Sequence, residues 1–280
     1  MKFLYYPGCT AKSTAKSLEE TSIAMLKKLG VELVELEKWY CCGVMPGLAD
    51  DALMPHVSSV RNLLQAQKMK DEVGTNKLVA ICSMCYNVLK LVSARIVSDE
   101  EKISRINNFL EEEYRGEIEV LHLLDVLRDY VGLDKLKESV ESPLNKLKVA
   151  CYYGCALVRP KEVAVDDPED PSIMEEVVRA LGGEPVDYPY KTECCGAFHV
   201  IDEEAVAAAK KDQIKGYAKK MGAKVMVTVC PLCHFNLSFK AREEEIPVVY
   251  LTELACYALG LKDVLEDGVK KVVEGVVGKR

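Results

Sequence analysis

Cys41-Cys42-Gly43 is the stretch around which this chain is organised, and it occurs a second time as Cys194-Cys195-Gly196. Each copy is preceded by one separate cysteine, Cys9 or Cys155. Each copy is also followed by a Cys-x-x-Cys motif, formed by Cys82 and Cys85 or by Cys230 and Cys233. The chain therefore contains two sets of five cysteines in the same order.

The composition excludes several classes of protein. The chain has 280 residues, of which 49% are hydrophobic, which is enough for one large domain or two smaller ones with their own cores. The net charge of −7 gives no support to a nucleic-acid role. No apolar run approaches the roughly 18 residues of a membrane span, and the first residues lack the apolar core of a signal peptide. We therefore expect a cytoplasmic protein without a membrane span.

The cysteine content favours metal or redox chemistry over disulfides. Twelve cysteines in 280 residues are well below the roughly 8–10% that is typical of a disulfide scaffold. In a reducing compartment, clustered cysteines are more often metal ligands or redox groups than structural crosslinks.

The hydrophobic pattern of the first half predicts alternating strands and helices. We predict strands at residues 2–6, 31–36, 77–81 and 119–123. We predict helices at residues 14–29, 55–72, 86–97, 98–115 and 124–131. A polar stretch at 138–146 that contains Pro143 is the predicted linker.

The same order then begins again in the second half. We predict strands at residues 148–153, 184–188, 224–229 and 247–251, and helices at 171–181, 203–221 and 252–259. Repeated strand–helix alternation favours parallel sheets with helices packed on them. We therefore predict an α/β fold of two repeats related by a pseudo-two-fold axis, each a small parallel sheet flanked by helices. The predicted domains are residues 1–140 and 147–280.

All of the cysteine motifs follow predicted strands, and this places them at one edge of each sheet. The carboxyl ends of parallel strands are where sites form in open α/β sheets. Each Cys-x-x-Cys motif lies between a strand and a helix, where the helix N-terminus stabilises thiolate. Pro231 suits the first position of such a helix.

The adjacent cysteines need a different local geometry. In an extended chain, Cys41 and Cys42 would point to opposite faces. Gly43 permits the sharp turn that brings both sulfurs into one site. A cofactor with several metal atoms could then bind the two sulfurs through different metals.

Four kinds of site compete for these thiols. A structural zinc ion takes four ligands, and adjacent cysteines are awkward for it, although zinc in one half remains an alternative. A thioredoxin-like dithiol explains two thiols of each set, and a disulfide framework explains the pattern less well. An iron–sulfur cluster accounts for all five. The two remaining cysteines, Cys151 and Cys256, are predicted to be structural.

The duplicated array resembles the cysteine-rich CCG domain family, and within it the B subunits of heterodisulfide reductases. The segment at 166–171, Asp-Asp-Pro-Glu-Asp-Pro, is also similar to those subunits. The resemblance covers essentially the whole chain. It implies two noncubane 4Fe-4S clusters that face each other across a cavity. One would be bound by Cys9, Cys41, Cys42, Cys82 and Cys85, and the other by Cys155, Cys194, Cys195, Cys230 and Cys233.

The resemblance also implies an activity and partners. The family reduces the mixed disulfide of coenzyme M and coenzyme B to two thiols, and each cluster would pass one electron. The implied partners are a flavin-containing A subunit and a C subunit with cubane clusters, with a hydrogenase or formate dehydrogenase in a larger complex. Methanogen enzymes commonly have histidines beside the separate cysteine of the second half, where this chain has Tyr152, Tyr153 and Ala156 around Cys155. The substrate could therefore be a related disulfide.

Basic residues near the motifs are candidates to bind the anionic substrate that the resemblance implies. The principal candidates are Lys12, Arg159, His199 and His234, and further ones are Lys16, Lys161 and Lys191. The alternative is that they are solvated surface charges. A second functional hypothesis is an electron-transfer or zinc-stabilised subunit of another oxidoreductase, with no disulfide substrate of its own.

Overall fold

The computed structural model describes residues 1–43, 53–242 and 244–278. It confirms the predicted fold class, because the strands form two four-stranded sheets in which every pairing is parallel. In the sequence, the strands of one sheet precede the predicted linker and those of the other sheet follow it.

The first sheet has the strand order β2-β1-β3-β4. Its strands are β1 (Lys2–Tyr6), β2 (Glu32–Glu35), β3 (Lys77–Ala80) and β4 (Glu119–His122). Leu4 pairs with Val34 on one side and with Leu78 on the other, so β1 lies inside the sheet. Four of the five residues of β1 are buried, as expected for a parallel strand covered on both faces.

The second sheet repeats this order as β6-β5-β7-β8. Its strands are β5 (Lys148–Cys151), β6 (Glu184–Val186), β7 (Val225–Thr228) and β8 (Val248–Tyr250). Val149 pairs with Pro185 and with Val225, which makes β5 the counterpart of β1.

Helices connect successive strands. Those of the first half are α1 (Lys16–Lys28), α2 (Val57–Val73), α3 (Ser83–Val92), α4 (Glu100–Leu110), α5 (Leu123–Asp125) and α6 (Leu133–Glu138). Those of the second half are α7 (Ile173–Ala180), α8 (Glu204–Lys220), α9 (Pro231–Ser238), α10 (Leu251–Ala258) and α11 (Asp267–Val277). Two π-helical segments continue α3 and α5, at Ser93–Val97 and Val126–Val131. Single 3-10 turns occur at Met54–His56, Lys161–Val163, Ala197–His199 and Lys262–Val264.

The helix following Cys82 begins earlier than the sequence pattern indicated. The prediction started it at residue 86, but α3 begins at Ser83, so Cys85 already lies in its first turn. Cys82 is the N-cap residue of α3, and Cys230 is the N-cap residue of α9, which has Pro231 in its first turn. Both motifs therefore have the helix N-terminal position expected for them.

Two short helices were not predicted. Helix α6 follows Gly132, whose φ of +81° ends one helical segment before the next begins. The sequence of α6 is mostly polar, and one of its residues, Leu136, is buried. Helix α11 contains two glycines, which lower helix propensity, and it is held by the burial of Val273.

The two halves share a core. Helix α1 of the first half packs on α10 of the second, and α6 packs on α7. The hydroxyls of Thr21 and Thr252 lie 2.7 Å apart in this interface, where Ser17 also donates to Glu253. The predicted linker is tied to the second half, because Leu144 N–H donates to the carbonyl of Leu181.

Within the described ranges, helix α4 of the first half has no counterpart in the second half. Across the ranges that the structure describes, we find no helix with the length and apolar character needed to cross a membrane.

Candidate metal-cofactor site

The three cysteine motifs of each half lie at the carboxyl edge of its sheet. Cys9 follows β1 and Cys82 follows β3, while Cys155 follows β5 and Cys230 follows β7. Because neighbouring parallel strands end at the same edge, motifs far apart in sequence meet there. The structure thus brings the motifs of each half to the edge that the sequence pattern indicated.

The five thiols of the first set are neighbours. The sulfurs of Cys9 and Cys41 lie 4.0 Å apart. The Cys85 thiol is within hydrogen-bond reach of both Cys42 and Cys82, so these three form a buried group. Cys42 and Cys82 also act electrostatically on Cys9. The exposed pair of Cys9 and Cys41 therefore lies close to the buried group.

The second set repeats this arrangement residue for residue. Cys155 is hydrogen-bonded to Cys194, as Cys9 is to Cys41. Cys233 is within hydrogen-bond reach of Cys195 and Cys230, as Cys85 is of Cys42 and Cys82. The structure therefore brings together both predicted sets without mixing them.

The two Cys-Cys-Gly segments turn at their glycines, as predicted. Gly43 has a φ of +77° and Gly196 a φ of +79°, a left-handed conformation that a side chain disfavours. Cys41 and Cys194 are exposed, while Cys42 and Cys195 are buried. The first cysteine of each pair therefore faces the rim of the site, and the second faces its interior.

A second glycine signal was missed by the sequence reasoning. Gly8 and Gly154 directly precede the separate cysteines. A Cβ on Gly8 would lie 2.9 Å from the sulfur of Cys85, and one on Gly154 would lie 3.0 Å from that of Cys233. Only glycine lets the backbone approach these sulfurs so closely. The pattern Gly-Cys after a strand in both halves could have revealed it.

Hydrogen bonds between thiols divide the cysteines into donors and acceptors. The Cys155 thiol lowers the pKa of Cys194 to about 6. The Cys233 thiol likewise lowers the pKa of Cys195, and the Cys85 thiol lowers that of Cys82. For Cys82, the backbone N–H groups of Met84 and Cys85 act in the same direction, as the helix N-terminal position predicted. Thiolate, the form that binds metal, is thus favoured at these acceptor sulfurs.

The two sets meet across the interface between the halves. The Ser83 hydroxyl, inside the first Cys-x-x-Cys motif, donates to the carbonyl of Val229, which precedes the second motif, at 3.3 Å. The Tyr250 side chain interacts electrostatically with both Cys82 and Cys230, so it lies near both sets. Met84 packs against both hydrophobic clusters, one that runs through the two halves and one within the second half.

The same interface supports the segment after Cys155. The Asn87 amide, in α3 of the first half, donates to the carbonyls of Ala156 and Arg159, each at 2.7 Å. The repeat counterpart of Asn87 is Phe235, which is exposed. The halves therefore support each other unequally.

A tyrosine and a histidine pair beside each Cys-x-x-Cys motif, with their positions exchanged. In the first half, Tyr86 follows Cys85 and its ring meets His122 edge-on at 5.4 Å. In the second half, His234 follows Cys233 and stacks on Tyr250 at 4.3 Å. Sequence reasoning singled out His234 but missed the partners at the ends of β4 and β8.

The basic candidates are mostly engaged with carboxylates. The Lys12 ammonium lies 2.8 Å from Glu19 and 2.6 Å from Glu35. Arg159 pairs with Glu169 at 3.2 Å and donates to the carbonyl of Thr192. Among the further candidates, Lys191 pairs with Asp170 at 2.6 Å, and Lys16 and Lys161 are exposed.

The two histidines differ in their surroundings. His199 is exposed, with Nδ1 3.8 Å from Asp202. His234 is partly buried, and desolvation lowers its pKa. Substrate contact by Lys12, Arg159, His199 and His234 stays a prediction.

The two remaining cysteines lie outside both sets. Cys151 and Cys256 are fully buried, and the Cys256 thiol donates to the carbonyl of Thr21 at 3.3 Å. Their predicted structural role agrees with this placement.

The residues present fit a cofactor made of iron and sulfide. Ten soft thiol ligands lie in two equivalent groups, and the missing Cβ atoms of Gly8 and Gly154 leave space beside two of the sulfurs. Over residues 1–43, 53–242 and 244–278, no three His, Cys, Asp or Glu side chains are grouped in the way that one metal ion would require.

Comparison with known proteins defines the class. Residues 3–90 and 149–238 match the model of CCG, the cysteine-rich domain, and these two stretches contain all ten cysteines of the sets. The chain therefore belongs to the CCG cysteine-rich domain family, with two copies of the domain.

Relatives along the full length are subunits of oxidoreductases. The chain is 34% identical over 272 residues, 93% of each chain, to the 8-methylmenaquinol:fumarate reductase membrane anchor subunit of Wolinella succinogenes. It is 31% identical, over 92% of this chain and 89% of the relative, to the B subunit of the ferredoxin:CoB-CoM heterodisulfide reductase of Methanosarcina mazei. A protein of Archaeoglobus profundus that is described as like the B subunit of heterodisulfide reductase is 29% identical over 93% of this chain and 91% of its own length.

A solved structure shares the fold. The crystal structure of a hypothetical protein from Helicobacter pylori superposes with a TM-score of 0.68 over 99% of this chain, at 12% identity. This chain spans 50% of the length of that one, so the likeness concerns the fold alone.

Proposed function

We propose that this chain is the subunit of a multi-subunit oxidoreductase at which a disulfide is reduced to two thiols. The proposed cofactors are two noncubane 4Fe-4S clusters, one in each five-cysteine set. The proposed substrate is the mixed disulfide of coenzyme M and coenzyme B or a related disulfide.

The observation that carries the proposal is the meeting of the two sets across one interface. Reduction of a disulfide takes two electrons and two protons and gives two thiols. Iron–sulfur clusters, when bound, supply electrons one at a time. Two equivalent groups of thiols beside a shared interface would therefore hold the two one-electron centres that such a reaction needs.

The chain's own residues would hold and shield the centres. The interior cysteines of each set are buried, and the partly buried Met84 packs against both hydrophobic clusters beside them. His199 and His234 are candidates to donate hydrogen bonds to the departing sulfurs. The electrons would come from partner subunits, which we propose to be a flavin-containing A subunit and a cubane-cluster C subunit.

The first experiment counts the cofactor. Anaerobically purified protein is expected to contain about eight iron and eight sulfide per chain, as two 4Fe-4S clusters require. About four of each with one zinc would restrict cluster chemistry to one half. Protein that lacks iron and sulfide after anaerobic preparation would contradict the proposal.

The second experiment tests the reaction. The reduced native complex is expected to convert the coenzyme M–coenzyme B disulfide to thiols, measured as free thiol released. A complex in which Cys195→Ser removes one centre should lose this turnover. Unchanged turnover in that variant would refute the requirement for two centres.

A second function is favoured by two specific observations. A relative at 34% identity is a subunit of an 8-methylmenaquinol:fumarate reductase. In addition, three of the candidates for binding an anionic disulfide, Lys12, Arg159 and Lys191, are paired with carboxylates. The alternative is an electron-transfer subunit with no disulfide substrate of its own.

The same native complex separates the two functions. If electron transfer is the function, the complex should oxidise 8-methylmenaquinol with fumarate and leave the heterodisulfide intact. Thiol release from the heterodisulfide without quinol oxidation would favour the first function.

A further inference from the structure

Two buried tyrosines hold the segments that carry the adjacent cysteines. The Tyr6 hydroxyl, at the end of β1, donates to the carbonyl of Tyr40 at 2.7 Å. The Tyr152 hydroxyl, directly after β5, donates to the carbonyl of Glu193 at 2.6 Å. Tyr40 precedes Cys41, and Glu193 precedes Cys194. The same hydrogen bond therefore occurs at equivalent positions of both halves.

Each tyrosine also lies among the sulfurs of its own set. The charges of Cys85, Cys42, Cys41 and Cys9 all act on Tyr6, and those of Cys233, Cys195 and Cys155 act on Tyr152. A Cβ on Gly8 would meet both the Tyr6 ring, at 3.5 Å, and the sulfur of Cys85. Both side chains are fully buried.

The Cys-Cys segments need such support because their cysteines belong to no helix or strand. Their backbone is held by side chains instead. In the first half, Asn62 donates to the carbonyl of Tyr40 at 3.0 Å, and Ser59 donates to that of Cys42 at 2.7 Å. In the second half, Asn236 donates to the carbonyl of Cys195 at 2.5 Å.

We propose that Tyr6 and Tyr152 are positioning residues, whose hydroxyls fix the Cys41-Cys42 and Cys194-Cys195 pairs in the geometry that binds the cofactor. The inference rests on the proposed function only for what is bound. Each hydroxyl acts on its own set, so its loss should disturb one centre and leave the other unchanged.

The neighbouring tyrosines provide matched controls. Tyr5 and Tyr153 are equally buried, and their hydroxyls also donate hydrogen bonds, but to Glu19 and Glu175 rather than to a Cys-Cys segment. Tyr5→Phe and Tyr153→Phe therefore remove buried tyrosine hydrogen bonds, including the one that Tyr153 accepts from the Met174 N–H, without touching the proposed support.

The cofactor readout uses the anaerobic native complex. Tyr152→Phe is expected to change the electron paramagnetic resonance signal and the midpoint potential of one centre, while Tyr153→Phe changes neither. Tyr6→Phe should change the other centre, with a smaller effect because Asn62 also donates to the Tyr40 carbonyl. Equal signals in the variants and in their controls would overturn the inference.

A second readout needs no cofactor. In the full chain prepared without iron, Tyr152→Phe should raise the alkylation rate of the exposed Cys194 about two- to tenfold, the effect of losing one hydrogen bond. The exposed Cys41 in the same molecule is the internal reference, and the roles are exchanged in Tyr6→Phe. Equal changes at both cysteines would contradict local positioning.

The two readouts separate the inference from the proposed function. Wild-type protein without iron or sulfide would refute the function, and alkylation alone would then decide the role of the tyrosines. Iron-loaded variants with unaltered signals and alkylation rates would refute the positioning role while leaving the function intact.

Discussion

At the residue scale, adjacent cysteines of one pair have opposite environments. Cys194 is exposed and its pKa is lowered to about 6, while Cys195 is buried at 5% exposure. A buried thiol ligand has no substitute from solvent when it is removed. The interior cysteine should therefore matter more for retention of the cofactor than its exposed neighbour.

Substitution of the interior cysteine tests this. Cys195→Ser is expected to reduce iron and sulfide to about half of the wild-type content, because one set of two loses a ligand. Cys256→Ser is the control, since Cys256 is also buried but lies outside both sets and donates to the carbonyl of Thr21. Metal analysis of anaerobic protein makes the comparison, and equal iron contents would contradict the assignment.

His122 carries a residue-scale prediction about pH. Burial lowers the pKa of His122 to about 3, below the value of about 6.5 in the unfolded chain, so the folded state keeps the imidazole neutral. The stabilisation is complete above pH 6.5 and is lost as the pH falls toward 3. Between pH 7.5 and 5.5, this group should lower the free energy of unfolding by about 1.4 kcal/mol.

The matching variant is His122→Asn. Asparagine keeps an acceptor for the N–H of Leu124, which His122 Nδ1 accepts at 3.2 Å, but it does not titrate. Urea unfolding at the two pH values should show a smaller loss of stability in the variant than in the wild type. A variant with the same pH dependence would assign the effect to other groups.

At the element scale, α3 supports the site of the opposite half. Asn87→Leu removes the side-chain amide that donates to the carbonyls of Ala156 and Arg159. Both carbonyls then lose this hydrogen bond in a partly buried environment. The expected cost is about 1–3 kcal/mol in the free energy of unfolding, together with faster loss of iron to a chelator.

The control for Asn87→Leu is the same kind of substitution at an exposed position of α4. Asn108 is exposed there, so Asn108→Leu should stay within about 0.5 kcal/mol of the wild type. Thermal unfolding and the rate of iron release measure both variants. If Asn87→Leu behaves as the control does, the support across the interface is unimportant.

At the scale of the whole molecule, the halves depend on each other. Helix α1 packs on α10, and separation would leave Glu253 without Ser17 and Thr252 without Thr21. Residues 1–140 and 147–280 expressed separately are therefore expected to aggregate or to unfold without cooperativity, although co-expression should restore a soluble pair. Calorimetry and size-exclusion chromatography measure this. Two independently folded monomeric halves would show that the shared core is dispensable.

Sequence patterns predicted the elements with strong periodicity and missed the weak ones. The apolar run of β7 and the motif at Cys230 predicted a strand, a turn and a helix with the correct order. Helix α6 was not predicted because only Leu136 of its six residues is buried. The start of α3 was predicted three residues late, because Ser83 carries no apolar signal.

The sequence by itself determined the two parallel sheets and the grouping of the ten cysteines. Local periodicity fixes strands and helices, and motifs after parallel strands must meet at one edge. The tertiary structure alone decided which sulfurs are buried and which lysines are neutralised. It also decided that Tyr6 and Tyr152 reach the Cys-Cys segments. The two tyrosine hydrogen bonds join residues 34 and 41 positions apart, and no local pattern encodes such contacts.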